Sequence, residues 1–313
     1  MDDFSLETSI ERKKRSSLLT FTIRLAKEKP MGVAAAVVTL LLLFTAIFAD
    51  HLAPYGMNET WVGEFLEPPS AKFLFGTDNL GRDILSRVIY GARVSVIIGL
   101  STSVLATIVS LVIGIVSGYV GGRLDLLVQR AVDTTMCIPT LILLMVFISI
   151  IGPGIWQVII VIGLTWGVIG SRIIRSAVID VKDNVYIQAS KSIGCSTLRI
   201  FARHILPNIM APTIILFTVR MPGVIMTEAS LSFLGFGIPP PTPSWGGMLS
   251  GSGRRYMFQA PWMVLWPGLA LSLMVYAVNM FGDAVRDLLD PKLKGGVGRY
   301  GVKPKKRTTK EVH

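Results

Sequence analysis

Apolar residues in this chain come in long uncharged blocks rather than in stripes of helical or strand period. Met31–Phe48 (MGVAAAVVTLLLLFTAIF), Val94–Ser117 and Met263–Phe281 carry no charge at all. A run of about 20 such residues is long enough to cross the hydrocarbon core of a bilayer. Val132–Ile151, Ile155–Gly170 and Ile209–Leu234 are similar, but each contains or abuts a Pro, a Gly or a charge. Together they predict an all-α membrane protein with six transmembrane helices. The third and fourth spans are separated only by Gly152, Pro153 and Gly154.

The polar segments between the blocks give the orientation. Lys and Arg number 24 in residues 1–30, 119–131, 171–208 and beyond Phe281, against 6 in the alternate segments, with Arg220 alone inside a span. This positive-inside bias predicts that both termini are cytoplasmic. The chain then divides into a cytoplasmic lead-in (residues 1–29), a first span (30–49), an external segment (50–93), a five-helix core (94–290) containing an inner loop (171–208), and a basic cytoplasmic tail (291–313).

Within the external segment, Leu80, Ile84, Leu85, Val88 and Ile89 fall on one helical face. Thr77 or Asp78 can cap that helix, and a helix of this kind is expected in the membrane interface. The second external segment, Gly235–Pro261, cannot be helical through Pro239–Pro241 and Pro243. Its aromatics Trp245 and Tyr256, with Trp262 just beyond, suit a membrane interface. Such a long loop is expected to dock an external protein.

Composition narrows the function classes. The chain has 313 residues, 51% of them hydrophobic and 16% charged, where an ordinary soluble domain has about 25% charged. The net charge of +11 sits where topology and anionic lipid require it, so nucleic acid is not the expected partner; membrane lipid is. The first block follows a long basic lead-in and lacks a small-residue cleavage site, unlike a signal peptide. Cys137 and Cys195 offer no disulfide framework, and His51, His204 and His313 no ligand spacing, so no metal site is expected. There is no G-x-x-x-x-G-K-[ST] phosphate loop, no nucleophilic triad, no paired carboxylates and no H-E-x-x-H. The chain is expected to have no catalytic residues and no cofactor of its own, and any energy comes from another chain. An intramembrane enzyme and a secondary transporter are the rivals. The second needs an internal repeat with ionisable residues near mid-membrane in both halves, and the first two spans have no counterpart to Arg220 and Glu228.

The inner loop is the unusual segment. Tyr186–Ile193 predicts a short helix, Gly194 a turn at positive φ, and Ser196–Ile205 a second helix. Pro207 then opens the fifth span, where its missing N–H does no harm. A short helix held by rigid corners at both ends is a lever on the spans it joins.

This loop resembles the "EAA" coupling loop of bacterial ABC importer permeases: Glu-Ala-Ala, three residues, Gly, nine residues, Ile-x-Leu-Pro. Here Gln188-Ala189-Ser190 is followed by three residues, Gly194, nine residues and His204-Ile205-Leu206-Pro207. Gln188, Ser190 and His204 depart from the pattern. Three further stretches, "FGTDNLGRDILSRVIYGARVS", "EASLSFLGFG" (Glu228–Gly237) and "NMFGDAVRDLLDP" (Asn279–Pro291), look like the second permease subunit of the dipeptide/oligopeptide/nickel subfamily. The resemblance covers nearly the whole chain in order. It implies a type I ABC importer permease fold in the bacterial cytoplasmic membrane, paired with a homologous second permease subunit. It also implies two ATPase subunits that bind ATP and Mg, and an external substrate-binding protein. Short peptides are the implied cargo, with nickel or metal chelates as the alternative. The implied ATPase contact comprises Gln188, Ala189, Ser190, Gly194, Leu198, Leu206 and Pro207.

Charges inside spans usually face protein or water. Arg220 and Glu228, two turns apart on one helix face and too far apart to bond each other, are therefore candidates to line a pathway, with Met221 and Asn279; the alternative for each charge is an interhelical or interfacial ion pair that only holds the bundle. Arg130 and Asp133 are expected to be structural. Asp283, Arg286, Asp287 and Asp290 are expected to pair along a helix end that stops at Pro291.

Overall fold

The computed structural model describes Leu25 and residues 28–289. The lead-in before Leu25, Asp290 and the tail from Pro291 fall outside the described residues, and so do the expectations placed on them. Twelve helices account for most of the described residues. They are α1 (Pro30–Ile47), α2 (Ala49–Leu52), α3 (Ile84–Val120), α4 (Gly122–Cys137), α5 (Thr140–Ile151), α6 (Ile155–Lys182), α7 (Val185–Ser192), α8 (Thr197–Ile200), α9 (Leu206–Phe233), α10 (Trp245–Leu249), α11 (Gly251–Tyr256) and α12 (Trp262–Leu289). A π-helical turn, Phe201–Ile205, joins α8 to α9.

Five helical stretches are long and apolar enough to cross a membrane, and the α4–α5 pair makes a sixth if counted as one span. That pair is bent by 94°, so the expected third span is not one straight helix. The break falls at Ile138 and Pro139, both extended in ψ (130° and 119°). A residue before proline is pushed out of the helical region, which places the corner there.

Helix α3 corrects the expectation of a separate interfacial helix. Residues 84–93 are the outer turns of one uninterrupted 37-residue helix, about 55 Å long and so longer than the hydrocarbon core. Asp83, not Thr77 or Asp78, caps it: its carboxylate accepts from the Ser86 backbone N–H and hydroxyl at 2.8 and 2.6 Å. Thr77 instead braces the preceding loop, donating to the Glu64 carbonyl and accepting from the Glu67 N–H.

The bundle is organised around α3 and α6, which pack along their whole shared length. Small residues make this possible, as expected where lipid removes the hydrophobic drive between helices. A Cβ on Gly114 would come within 2.7 Å of Ile174 Cβ and the Ser171 carbonyl, and one on Gly163 within 2.6 Å of Leu105. One half of the core joins Val94 and Ile98 of α3 to Leu144 and Ile148 of α5, Ile162 of α6 and Leu231 of α9. A second cluster packs α1, α3, α9 and α12 around Ala46, Val96, Ile225 and Met274. Arg93 fixes α1 to α3. It donates to the Ala46 and Ile47 carbonyls at the C-terminus of α1 and pairs with both oxygens of Asp50. Its hydrogen bonds hold the Asp50 carboxyl below the usual carboxylate range. At the other end of α1, Lys29 pairs with Asp287 at 2.6 Å. Asp287 thus reaches across to α1, and no ion pair joins Asp283, Arg286 and Asp287 to one another along α12.

Trp245 also departs from expectation. It is 1% exposed and packed in the core, its indole N–H donating to the Val88 carbonyl at 3.0 Å. It plugs the close approach at Gly91, where a Cβ would come within 2.7 Å of the ring. Its neighbours in sequence turn a proline-rich loop inward, so an aromatic residue suited to an interface becomes a core residue.

Candidate functional site

The inner loop is built on the C-terminal ends of α3 and α6. Ile187, Ile200, Ile205 and Ile209 are buried with Ile174, Val178 and Leu216, and Leu111, Ile115 and Tyr119 of α3 pack against them. Tyr119 meets Phe201 edge-on at 4.6 Å, and the Lys191 ammonium sits 5.0 Å over the Tyr119 ring. One face of the loop is therefore anchored firmly to the bundle.

Helix α7 ends in the expected turn. Gly194 has φ +78°, its N–H donates to the Lys191 carbonyl, and the Cys195 N–H reaches back to the Ser190 carbonyl. Such a 6→1 bond is the usual way a helix closes on a left-handed glycine. A Cβ at Gly194 would meet nothing within 4 Å, so its glycine answers to backbone conformation and not to space within this chain.

The far end differs from expectation. Leu206-Pro207 is not a corner: α8, the π turn and α9 run on as one helical stretch from Thr197 to Phe233. The Leu206 N–H bonds to the Phe201 carbonyl, an i→i+5 step that adjusts the ladder just before the proline ring. The second arm of the lever is thus continuous with the fifth span.

Of the residues expected to contact a partner, Gln188, Ala189, Gly194, Leu198, Leu206 and Pro207 are exposed. Ser190 is buried, and its hydroxyl donates within the helix to the Tyr186 carbonyl at 2.8 Å. The sequence reading missed Val185 and Ile193. With Leu198 they are 84%, 79% and 78% exposed. They form an outward apolar set in a segment too polar to span a membrane. Their signal was present in the sequence as isolated aliphatic residues on a basic loop.

Below the loop, Asp125 of α4 receives Arg175 of α6 through Nε at 2.6 Å and through Nη2, and also receives the Ser117 hydroxyl. Lys182 donates to the Gly118 carbonyl near the end of α3. Arg172 pairs with Asp133, and Arg130 stands 3.8 Å from the same carboxylate. These pairs tie α4 to α6, the structural part expected of Arg130 and Asp133.

The four span candidates separate. Arg220 projects into the α3–α6–α9 interior, where Nη1 donates to the Trp166 carbonyl at 2.8 Å and to the Ser110 hydroxyl at 3.3 Å. A Cβ on Gly170 would collide with its guanidinium. Glu228 is 1% exposed and accepts from the Ser232 hydroxyl at 2.7 Å; Ser232 in turn receives the Ile238 N–H. Neither charge pairs with the other. Met221 borders an apolar cavity of about 230 Å³ between α1, α3, α9 and α12. Asn279 is exposed. No group of three or more His, Cys, Asp or Glu that could hold a metal stands together among the described residues.

Comparison with known proteins follows this architecture. Residues 110–295 match the family described as "binding-protein-dependent transport system inner membrane component", and residues 21–69 match the "N-terminal TM domain of oligopeptide transport permease C". The di/tripeptide transport system permease protein DppC of Pseudomonas aeruginosa is 42% identical over 261 residues, 82% of this chain and 86% of that protein. The oligopeptide transport system permease protein OppC of Bacillus subtilis is 34% identical over 282 residues, 90% of this chain and 92% of that one. Among solved structures, the inward-facing MetNI methionine ABC transporter matches with a TM-score of 0.52 at 16% identity, covering 65% of this chain and 96% of the matched chain. That likeness speaks to the fold, which is the type I ABC importer permease fold. The chain is a multi-pass membrane protein that belongs to the family of binding-protein-dependent transport system inner-membrane components.

Proposed function

We propose that this chain forms half of the translocation pathway of an ATP-driven importer of short peptides. The observation that carries the reading is its 42% identity over 82% of its length to a relative named as a di/tripeptide permease. In this reading the chain pairs with a homologous permease subunit in the bacterial cytoplasmic membrane, with both termini inside. Two ATPase subunits bind ATP and Mg, and an external binding protein delivers the cargo. The chain contributes no phosphate loop and no catalysis.

The coupling step follows from the inner loop. Val185, Ile193 and Leu198 expose apolar surface that an ATPase groove would cover. Gln188, Ala189 and Gly194 flank it, and Leu206 and Pro207 lie where the loop enters α9. Ile187, Ile200 and Ile205 carry any displacement of the docked face into α3, α6 and α9. Asn279 and Met221 remain our candidates for the pathway. Arg220 and Glu228 act there through the helices they hold.

The test is reconstitution of the two-permease, two-ATPase assembly in lipid vesicles with its binding protein. ATP-dependent uptake of di- and tripeptides is expected. Uptake of a nickel chelate and not of peptides would overturn the cargo, and ATP hydrolysis by this chain alone would overturn the division of labour. Orientation is checked by cysteine labelling at Ser192 and Gln259, both exposed, with Cys137 and Cys195 replaced. Labelling from opposite sides is expected. Ser190 is too buried to serve as the inner site.

A further inference from the structure

The outer face holds a cavity of about 350 Å³, within the range of about 300–1,000 Å³ that small-molecule sites occupy. One wall carries Asp78, Arg82 and Arg87; another is apolar, formed by Ile84, Ile238 and Met263. The charged wall is nearly out of solvent, with side-chain exposures of 7% for Asp78, 12% for Arg82 and 8% for Arg87. Its hydrogen bonding is incomplete on the cationic side. Asp78 is fully engaged: Oδ1 accepts from the Leu80 and Arg82 N–H groups and Oδ2 from Arg82 Nε at 2.7 Å, with Arg87 Nε 3.8 Å away. Asp83, the other acid nearby, is committed to Ser86 and is not part of the cavity wall. Arg87 Nη1 donates to the Met57 carbonyl at 2.9 Å and to the Pro241 carbonyl at 3.5 Å. The two terminal nitrogens of Arg82 have no hydrogen-bond partner among the described residues. Two guanidiniums thus face the cavity against one carboxylate whose acceptors are taken.

A sheltered guanidinium with free planar donors matches a carboxylate, which accepts two parallel N–H bonds. The apolar wall beside it suits one side chain. We propose that this cavity holds the C-terminal residue of a short peptide, its carboxylate on Arg82 and Arg87 and its side chain against Ile84, Ile238 and Met263. This rests on the peptide reading above and adds an outer subsite on the permease itself.

The experiment measures binding of N-acetyl-dialanine and its C-terminal amide to the full chain in lipid nanodiscs, by calorimetry or ligand-observed NMR. The free acid should bind at least about ten-fold more tightly, the scale of a charge-assisted hydrogen bond. Arg82→Gln should abolish the preference for acid over amide. Thr242→Trp, which crowds the cavity without touching either arginine, should weaken binding of both ligands at an unchanged melting temperature. Equal binding of acid and amide, no binding, or acid binding indifferent to Thr242→Trp would overturn the proposal. So would acetate binding as tightly as the peptide, because the apolar wall would then contribute nothing. Peptide uptake by the complete importer is scored separately: uptake without the acid preference removes this subsite alone, whereas absent uptake removes the cargo reading.

Discussion

The outer cap and the inner loop are both connections between spans, yet they satisfy their residues in opposite ways. The cap, residues 53–83 and 234–261, draws one set of charges and aromatics inward, while Trp61 and Phe258 stay 79% and 91% exposed. Asp78, Arg82 and Arg87 cluster below the surface, Trp245 is in the core, Trp262 donates to the Thr77 carbonyl, and Phe75 stacks on Trp266 at 4.1 Å. The inner loop buries Ile187, Ile200 and Ile205 but leaves Val185, Ile193 and Leu198 in the open. Removing one member of a buried ion cluster leaves the others uncompensated, so this part of the cap depends on Asp78 staying with Arg82 and Arg87. Exposed aliphatics of this kind suit a surface for another protein, and in the function proposed above an ATPase subunit covers them.

Four variants break or sharpen this contrast. Asp78→Asn should have the largest effect, because it leaves Arg82 and Arg87 sheltered without their carboxylate. Removing one partner of a buried pair costs about 3 kcal/mol or more, and the melting temperature of the purified chain in detergent should fall accordingly. An unchanged melting temperature would mean that the cap does not depend on its ion cluster.

Gly194→Val comes next. A β-branched residue at φ +78° costs about 1–3 kcal/mol, all of it local because no atom of this chain stands in the way. Membrane abundance should stay normal while co-purification of the ATPase subunits and peptide uptake fall ten-fold or more. Full uptake would show that the loop is a passive connector.

Ile193→Ser with Leu198→Ser separates the two regions directly. Both residues are exposed, so stability of the isolated chain should change by no more than about 0.5 kcal/mol, whereas ATPase association should be lost. A large drop in stability with association intact would invert the comparison. Ser190→Ala is the smallest change. Its hydroxyl bonds only within its own helix turn, and both uptake and melting temperature should match the parent chain.

Some of this was readable from residue order. Six apolar blocks predict helical crossings, because a backbone in lipid has no other way to satisfy its N–H and C=O groups, and five spanning helices and the bent α4–α5 pair fall on those blocks. The lysine and arginine bias supplies the orientation proposed above, and Gly194 marks its turn because few other residues adopt positive φ. Local pattern failed where the outcome rested on a neighbour distant in the chain. An amphipathic reading put Leu80, Ile84, Leu85, Val88 and Ile89 on one face of a separate interfacial helix, but the helix runs on to Val120, and the Met57 carbonyl and Asp78 hold Arg87 inside. Trp245 looked like an interfacial aromatic until the Gly91 notch on α3 was there to receive its ring. Leu206-Pro207 looked like a stop, but a π turn one step earlier lets the ladder absorb the proline. The partners of Arg220 and Glu228 were not legible either: one reaches the Trp166 carbonyl across the bundle and the other binds Ser232 on its own helix. Periodicity and composition fix what a segment can do with its own backbone and with lipid, because those interactions are local or uniform. Which polar group meets which, and which apolar surface stays open, depends on contacts between residues far apart in the chain, and these exist only once the helices are packed.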